Sequence, residues 1–168
     1  INDNLQKCKE SILDLNFGTL KTELALLGSA SETEKKISFY EIILAAHNRK
    51  DFSDLIDSVS DDDKEEAFWL KSLCKNVRDV TFEEIRDFSP ETQIVTLIII
   101  FSEQHWNNIV ELHKYREHIE PEAVKAFDYH YALALFNLER EDEAHKVLSE
   151  MFGQYHEPRF ELFDICAQ

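Results

Sequence analysis

Seven histidines set among 34 acidic residues are the side chains best equipped for chemistry in this chain. Their spacing decides what they could do together. His113 and Glu117 share one face of a helix, while His118, one position further, is rotated away from His113. A helical zinc pair needs two imidazoles at i and i+4, as in HExxH, and that pattern is absent. His113 also takes the fourth place of an apolar stripe, Trp106, Ile109, Val110 and His113, which reads as a core position. Asp142 and His145 have the carboxylate-x-x-His spacing of a di-iron bundle, but that chemistry uses two such motifs plus two further carboxylates, and one is present. Cys74 and His47 could form a thiol–imidazole pair if neighbouring helices brought them together. Otherwise Cys74 packs as a small hydrophobe. The acidic run from Asp61 to Glu66 lacks the spacing and the glycine of an EF-hand and suits a helix start instead. Gly18, Gly28 and Gly153 stand singly, so no glycine-rich phosphate loop forms, and there is no GxSxG elbow. The expectation is a protein that is not an enzyme and has no cofactor and no metal.

Charge narrows the partners. Eighteen basic residues against 34 acidic ones give a net charge of −16, a field that repels a phosphate backbone. Nucleic acid and anionic membranes are therefore expected not to be partners, since the sequence shows no local basic patch to override the whole. The acidic excess serves solubility or attracts a basic protein. The longest apolar run, Ile94 to Phe101, is too short to span a bilayer. No signal peptide is visible, and Cys8, Cys74 and Cys166 form no CxxC motif, which fits reduced thiols and a cytoplasmic location. The chain begins at Ile1 without an initiator Met, as a domain taken from a longer protein would.

The elements that must position these residues are helices. Three glycines and three prolines are too few for the turns of an all-β fold. Helix starts are legible. Ser31 with Glu34, and Thr81 with Glu84, have capping-box spacing. Ser60 precedes three aspartates, and Pro90 and Pro121 suit the first helical position. Longer helices are thus predicted from near residues 32, 61, 90 and 121, at intervals of about 30 residues. Each is followed by a short helix: Phe52 to Val59, Phe82 to Phe88, Trp106 to Glu117 and Glu141 to Phe152. Short joints force antiparallel neighbours. Apolar stripes such as Phe52, Leu55, Ile56 and Val59, or Ala144, Val147, Leu148 and Met151, bury one face of each short helix. The helix from Pro90 is apolar nearly all round and should be the most buried. Asp3–Leu15 and Thr19–Leu27, the latter stopped by Gly28, and a final helix Pro158–Cys166, are read as caps.

The segment from Tyr129 to Met151 resembles a tetratricopeptide repeat. Ala132, Ala144 and Leu148 match the family pattern. Met151 stands where a small residue is usual, Glu139 replaces the turn glycine, and Glu141 replaces an aromatic. The three earlier pairs keep that aromatic (Phe52, Phe82, Trp106) but carry Leu55, Ile85 and Ile109 where the alanine belongs. The resemblance, or an α-solenoid of another kind, implies an all-α fold. Four antiparallel helix pairs would occupy residues 31–152, preceded by N-terminal helices (1–30) and closed by a capping helix (153–168), in one domain. It implies further that the first helix of each pair lines a groove. Carried over position by position, the groove candidates best suited to hold a partner are Tyr40, His47, Asn48, Arg78, Phe101, Tyr129, Phe136 and Asn137. The lysines with which some members clamp a peptide's terminal carboxylate are absent from these positions. The expected function is a protein–protein interaction scaffold that holds a basic or amphipathic protein segment. The alternatives are an oligomerisation or regulatory module, with a homo-oligomer possible, and a helical metal protein or hydrolase.

Overall fold

The computed structural model describes residues 2–27 and 34–161, and among these every regular element is helical. The α-helices are α1 (Asn2–Leu13), α2 (Phe17–Leu26), α3 (Glu34–His47), α4 (Asp61–Lys75), α5 (Phe82–Ile85), α6 (Pro90–Ser102), α7 (Trp106–His113), α8 (Val124–Asn137) and α9 (Glu141–Tyr155). Ser89 opens α6 by accepting the Thr92 N–H, with Pro90 at the position where a missing N–H costs nothing. The Glu84 carboxylate reaches back to the Thr81 N–H at 2.8 Å, the return bond of a capping box. The expected box at Ser31, the stop at Gly28 and the end of the last helix lie outside the described residues. So does Cys166.

Several short helices are shorter or tighter than their apolar stripes predict. Ser53–Ser58 is a 3₁₀ helix. It is confined between the turn in which Asp51 accepts from Ser53 and the extended residue Val59 before α4. Helix α5 is a single turn because Pro90, just ahead, holds Ser89 extended. Helix α7 stops at His113, and a separate 3₁₀ turn, Arg116–His118, follows it. Pro121 opens a 3₁₀ turn, Pro121–Ala123, that leads into α8.

Four helix ends share one turn. After α1, α3, α6 and α8 the chain passes through a left-handed residue: Leu15, Arg49, Gln104 and Glu139, with φ of 59°, 57°, 66° and 61°. In each turn the next residue's N–H bonds back to the carbonyl five before it: Asn16 to Ser11, Lys50 to Ala45, His105 to Ile100 and Arg140 to Leu135. This is the Schellman closure, which satisfies the last carbonyls of a helix and turns the chain back antiparallel. Leu15 to Arg49 is 34 residues and Gln104 to Glu139 is 35. Helices α1 and α2, predicted as caps, are therefore a helix pair closed by the same turn as the others. The exception is α4, which ends at Asn76 with φ −147°. The extended residues that follow are held by the buried side chain of Asn108, which bonds both the N–H and the carbonyl of Val80 at 2.8 Å.

Helix α6 is the hub, and its buried residues include Glu91 to Leu97, Ile99 and Ile100. It packs against α1, α3, α4, α7 and α8. Its contact with α3 passes over α4, so the helices gather around α6 as well as following one another along the chain. Glu66 of α4, buried, accepts the Ser89 N–H and hydroxyl at 2.7 and 2.9 Å and ties α4 to the start of α6. A second apolar cluster, Ala132, Leu148, Met151 and Phe160, joins α8, α9 and the last described turn. The turn after α1 meets the residues that follow α9: Lys125 bonds Asp14 at 2.7 Å and Glu157 at 2.6 Å, while Arg159 donates to the Asp14 carbonyl at 2.8 Å. Lys9 of α1 pairs with Glu122 at 3.1 Å.

Candidate functional site

Helix α1 lies over α3 and α6, and this decides the fate of the predicted groove residues. Tyr40 is 3% exposed, and burial, with Glu91 beside it, pushes its hydroxyl well above the usual range. It is a core residue. Tyr129 is covered by Phe160, with ring centroids 5.4 Å apart, and by the Arg159 guanidinium 5.6 Å from its ring. Phe101 is half-buried against the main core, edge-on to His130. Arg78 falls beyond the end of α4, in the extended joint, where its guanidinium is bound by both oxygens of Glu84. Phe136 is half-buried, edge-on to His145. Asn137 is exposed and donates to the Leu133 carbonyl. His47 stacks on Phe17 at 3.9 Å, and its Nδ1 faces the Asn48 Oδ1 at 3.0 Å. Of the eight, Asn48 lines one of the described cavities.

That cavity, about 320 Å³, lies between α2 and α3. Its floor is apolar, with Leu24, Ala25, Leu44 and Ala45, and its rim carries Lys21, Glu41, Asn48 and Lys50. Lys50 is shared with a second cleft of about 310 Å³ that also includes Arg49, Asp51, Phe52, Lys71, Cys74 and Lys75. The shared Schellman turn places Arg49 and Lys50 between the two, because the left-handed residue reverses the chain at the top of α3. Arg49 spans three elements, bonding the Cys74 carbonyl and Glu103, each at 3.1 Å. Asp51 is held by the hydroxyl and N–H of Ser53, which keep its carboxyl below the usual range. Burial pushes the Cys74 thiol up, away from the reactive thiolate, and His47 is engaged by Phe17 and Asn48. No local basic patch was expected. Four cationic side chains from α4 and the joint after α3 nevertheless converge on this one cleft.

The largest of the described cavities, about 490 Å³, opens between α7, α8 and α9. Its centre is Asp128, 7% exposed, which accepts from His113 Nε2 at 2.8 Å and from Arg116 at 2.8 and 2.9 Å. Burial pushes the Asp128 carboxyl up, but the bonds from His113 and Arg116 outweigh that and hold it below the usual range. His113, read from sequence as a core residue, is half-buried and stacked on Tyr131 at 3.7 Å. The apolar stripe gave no sign of Asp128, fifteen residues away. The cluster joins α7, the 3₁₀ turn after it and α8. An aspartate–imidazole pair can orient a general base, and no Ser, Thr or Cys lines this cavity among the described residues. Among the described residues no three His, Cys, Asp or Glu side chains are grouped to hold a metal ion, and no described helix is long and apolar enough to cross a membrane.

No family model, curated protein or solved structure matches this chain.

Proposed function

We propose that this chain is a protein-interaction domain, a divergent stack of antiparallel helix pairs related to tetratricopeptide repeats, which grips an amphipathic protein segment. The observation that carries this reading is the apolar-floored groove between α2 and α3, rimmed by Asn48 and by lysines. A concave apolar strip with a few polar groups at its edge is what a peptide side chain needs to be anchored and oriented. Two of the three intervals between successive Schellman turns, 34 and 35 residues, are near the family's period of about 34 and support the repeat reading, while the third, 55 residues from Arg49 to Gln104, spans α4, which ends without that turn. The groove is smaller than the one expected along all the first helices, because α1 and residues 157–161 cover the faces that carry Tyr40 and Tyr129.

The test is site-specific photocrosslinking from Ala25, which lies in the groove, with Gln154 at the opposite cavity as control. A discrete protein adduct from Ala25, mapped to one segment of the partner and lost when Ala45, which lines the same groove, is replaced by Trp with the crosslinker kept at position 25, supports the reading. A homodimer in light scattering that places Ala25 at its interface would replace it with an oligomerisation role. Adducts from Gln154 alone would end it.

A further inference from the structure

We infer that the segment held by this domain is acidic: its Asp and Glu carboxylates seat among Lys50, Lys71 and Lys75, while its apolar side chains lie on Leu24 and Leu44. This rests on the protein-binding reading above and goes beyond it in assigning the charge of the partner and the residues that read it.

The argument begins with where the lysines stand. Eleven of the 18 basic residues form salt bridges with described carboxylates. Seven lysines do not, and four of these seven, Lys21, Lys50, Lys71 and Lys75, line the two adjoining cavities. Among the described residues these four lysines thus stand without a salt bridge on either side of a single turn, in a chain whose overall charge is −16. Within the second cleft, Arg49 is matched by Glu103. Three lysines then face the single carboxylate of Asp51, which Ser53 already engages. The cleft has unspent capacity for anionic groups.

Range decides between this local charge and the overall −16. At physiological salt the Debye length is about 8 Å, so carboxylates on the far side of the molecule are largely screened from a group inside the cleft. The nearby lysines are not. A long polyanion such as nucleic acid would extend past the patch into the negative field, whereas a short acidic segment need not. Helical spacing suits this. Lys71 and Lys75 are one turn apart on α4 and present two cations in a row to carboxylates spaced alike. Phe52, a largely buried residue of the joint, lines the cleft, and the Leu24–Leu44 groove adjoins it at Lys50.

The experiment is fluorescence anisotropy on the whole chain with a fluorescein-labelled peptide of glutamates and leucines at helical spacing. Its counterpart has lysine at every glutamate. The protein variant is K71E/K75E; both side chains are exposed and without a salt bridge among the described residues, so the variant should keep the parent's urea midpoint. The glutamate peptide should bind the parent, and the double reversal should weaken it at least about tenfold. The lysine peptide should prefer the variant. Equal binding of the glutamate peptide to both proteins overturns the inference. So does stronger binding of the lysine peptide to the parent, although the protein-binding reading would then stand with a basic partner. Displacement of the glutamate peptide by an equimolar DNA oligonucleotide also overturns it, by making the cleft a general polyanion site. If neither peptide binds, the groove reading itself falls.

Discussion

His130 offers the sharpest test of how α8 is packed. Its imidazole is 6% exposed, donates from Nδ1 to the Ala126 carbonyl at 2.9 Å and stands edge-on to Phe101 and Tyr129. Burial disfavours the charged ring and pulls its pKa down to about 4, against 6.5 for an ordinary histidine. The sign follows from linkage. Below pH 6.5 the unfolded chain takes up a proton at this site and the folded chain does not, so stability is lost as pH falls and the loss is complete below the folded pKa. Each unit is about 1.4 kcal/mol, so moving from about pH 7.5 to about 4.5 should remove roughly 2.5 kcal/mol through this residue alone. Other groups titrate in the same range. Asp128, held low, adds to the loss further down, and Glu91, whose carboxyl burial pushes up, opposes it. The perturbation is therefore a comparison of the parent with His130→Leu, a side chain of similar size whose loss leaves the Ala126 carbonyl its helical bond. Urea unfolding at several pH values should give two curves that diverge on acidification by roughly 2.5 kcal/mol, the leucine variant being less sensitive. Parallel curves would mean that the folded protein protonates His130 freely, and that the environment of α8 against α6 is wetter than described.

Four further outcomes are expected. Leu148 is fully buried between α8 and α9, and Leu148→Ala should cost about 2–5 kcal/mol in urea unfolding; a loss under about 1 kcal/mol would show this face is not core. Glu139 sits at φ 61° with an exposed side chain, so Glu139→Gly should raise stability by about 0.5–1 kcal/mol, read as a higher urea midpoint. Arg49→Gly should gain less or lose, because that side chain holds Glu103 and the Cys74 carbonyl. Asp128→Asn should cost about 1–3 kcal/mol at neutral pH, measured in the same way, since Arg116 loses a bidentate partner but remains partly solvated; no change would place the cluster outside the packed structure.

The sequence by itself determined what depends on neighbours in the chain. Helical class follows from the scarcity of glycine and proline, and the starts at Asp61, Pro90 and Glu141 follow from local caps, charge and proline geometry. The burial of α6 follows from its apolar circumference. Groove membership of Tyr40 and Tyr129 did not follow, because it depends on what lies above them. Helix α1 and the turn around Phe160 come from the two ends of the chain, and no local signal says they cover α3 and α8. The turn at Glu139 was legible as a departure from glycine, while its likeness to Leu15, Arg49 and Gln104 was not, because left-handed φ in ordinary residues leaves no compositional mark. The lysine cleft was hidden for a similar reason. Arg49 and Lys50 are separated in the chain from Lys71 and Lys75, and a count of charges along it averages them into a −16 excess. Only the packing of the joint after α3 against the last turn of α4 sets like charges side by side, and electrostatics acts over distance in space and not over separation in sequence.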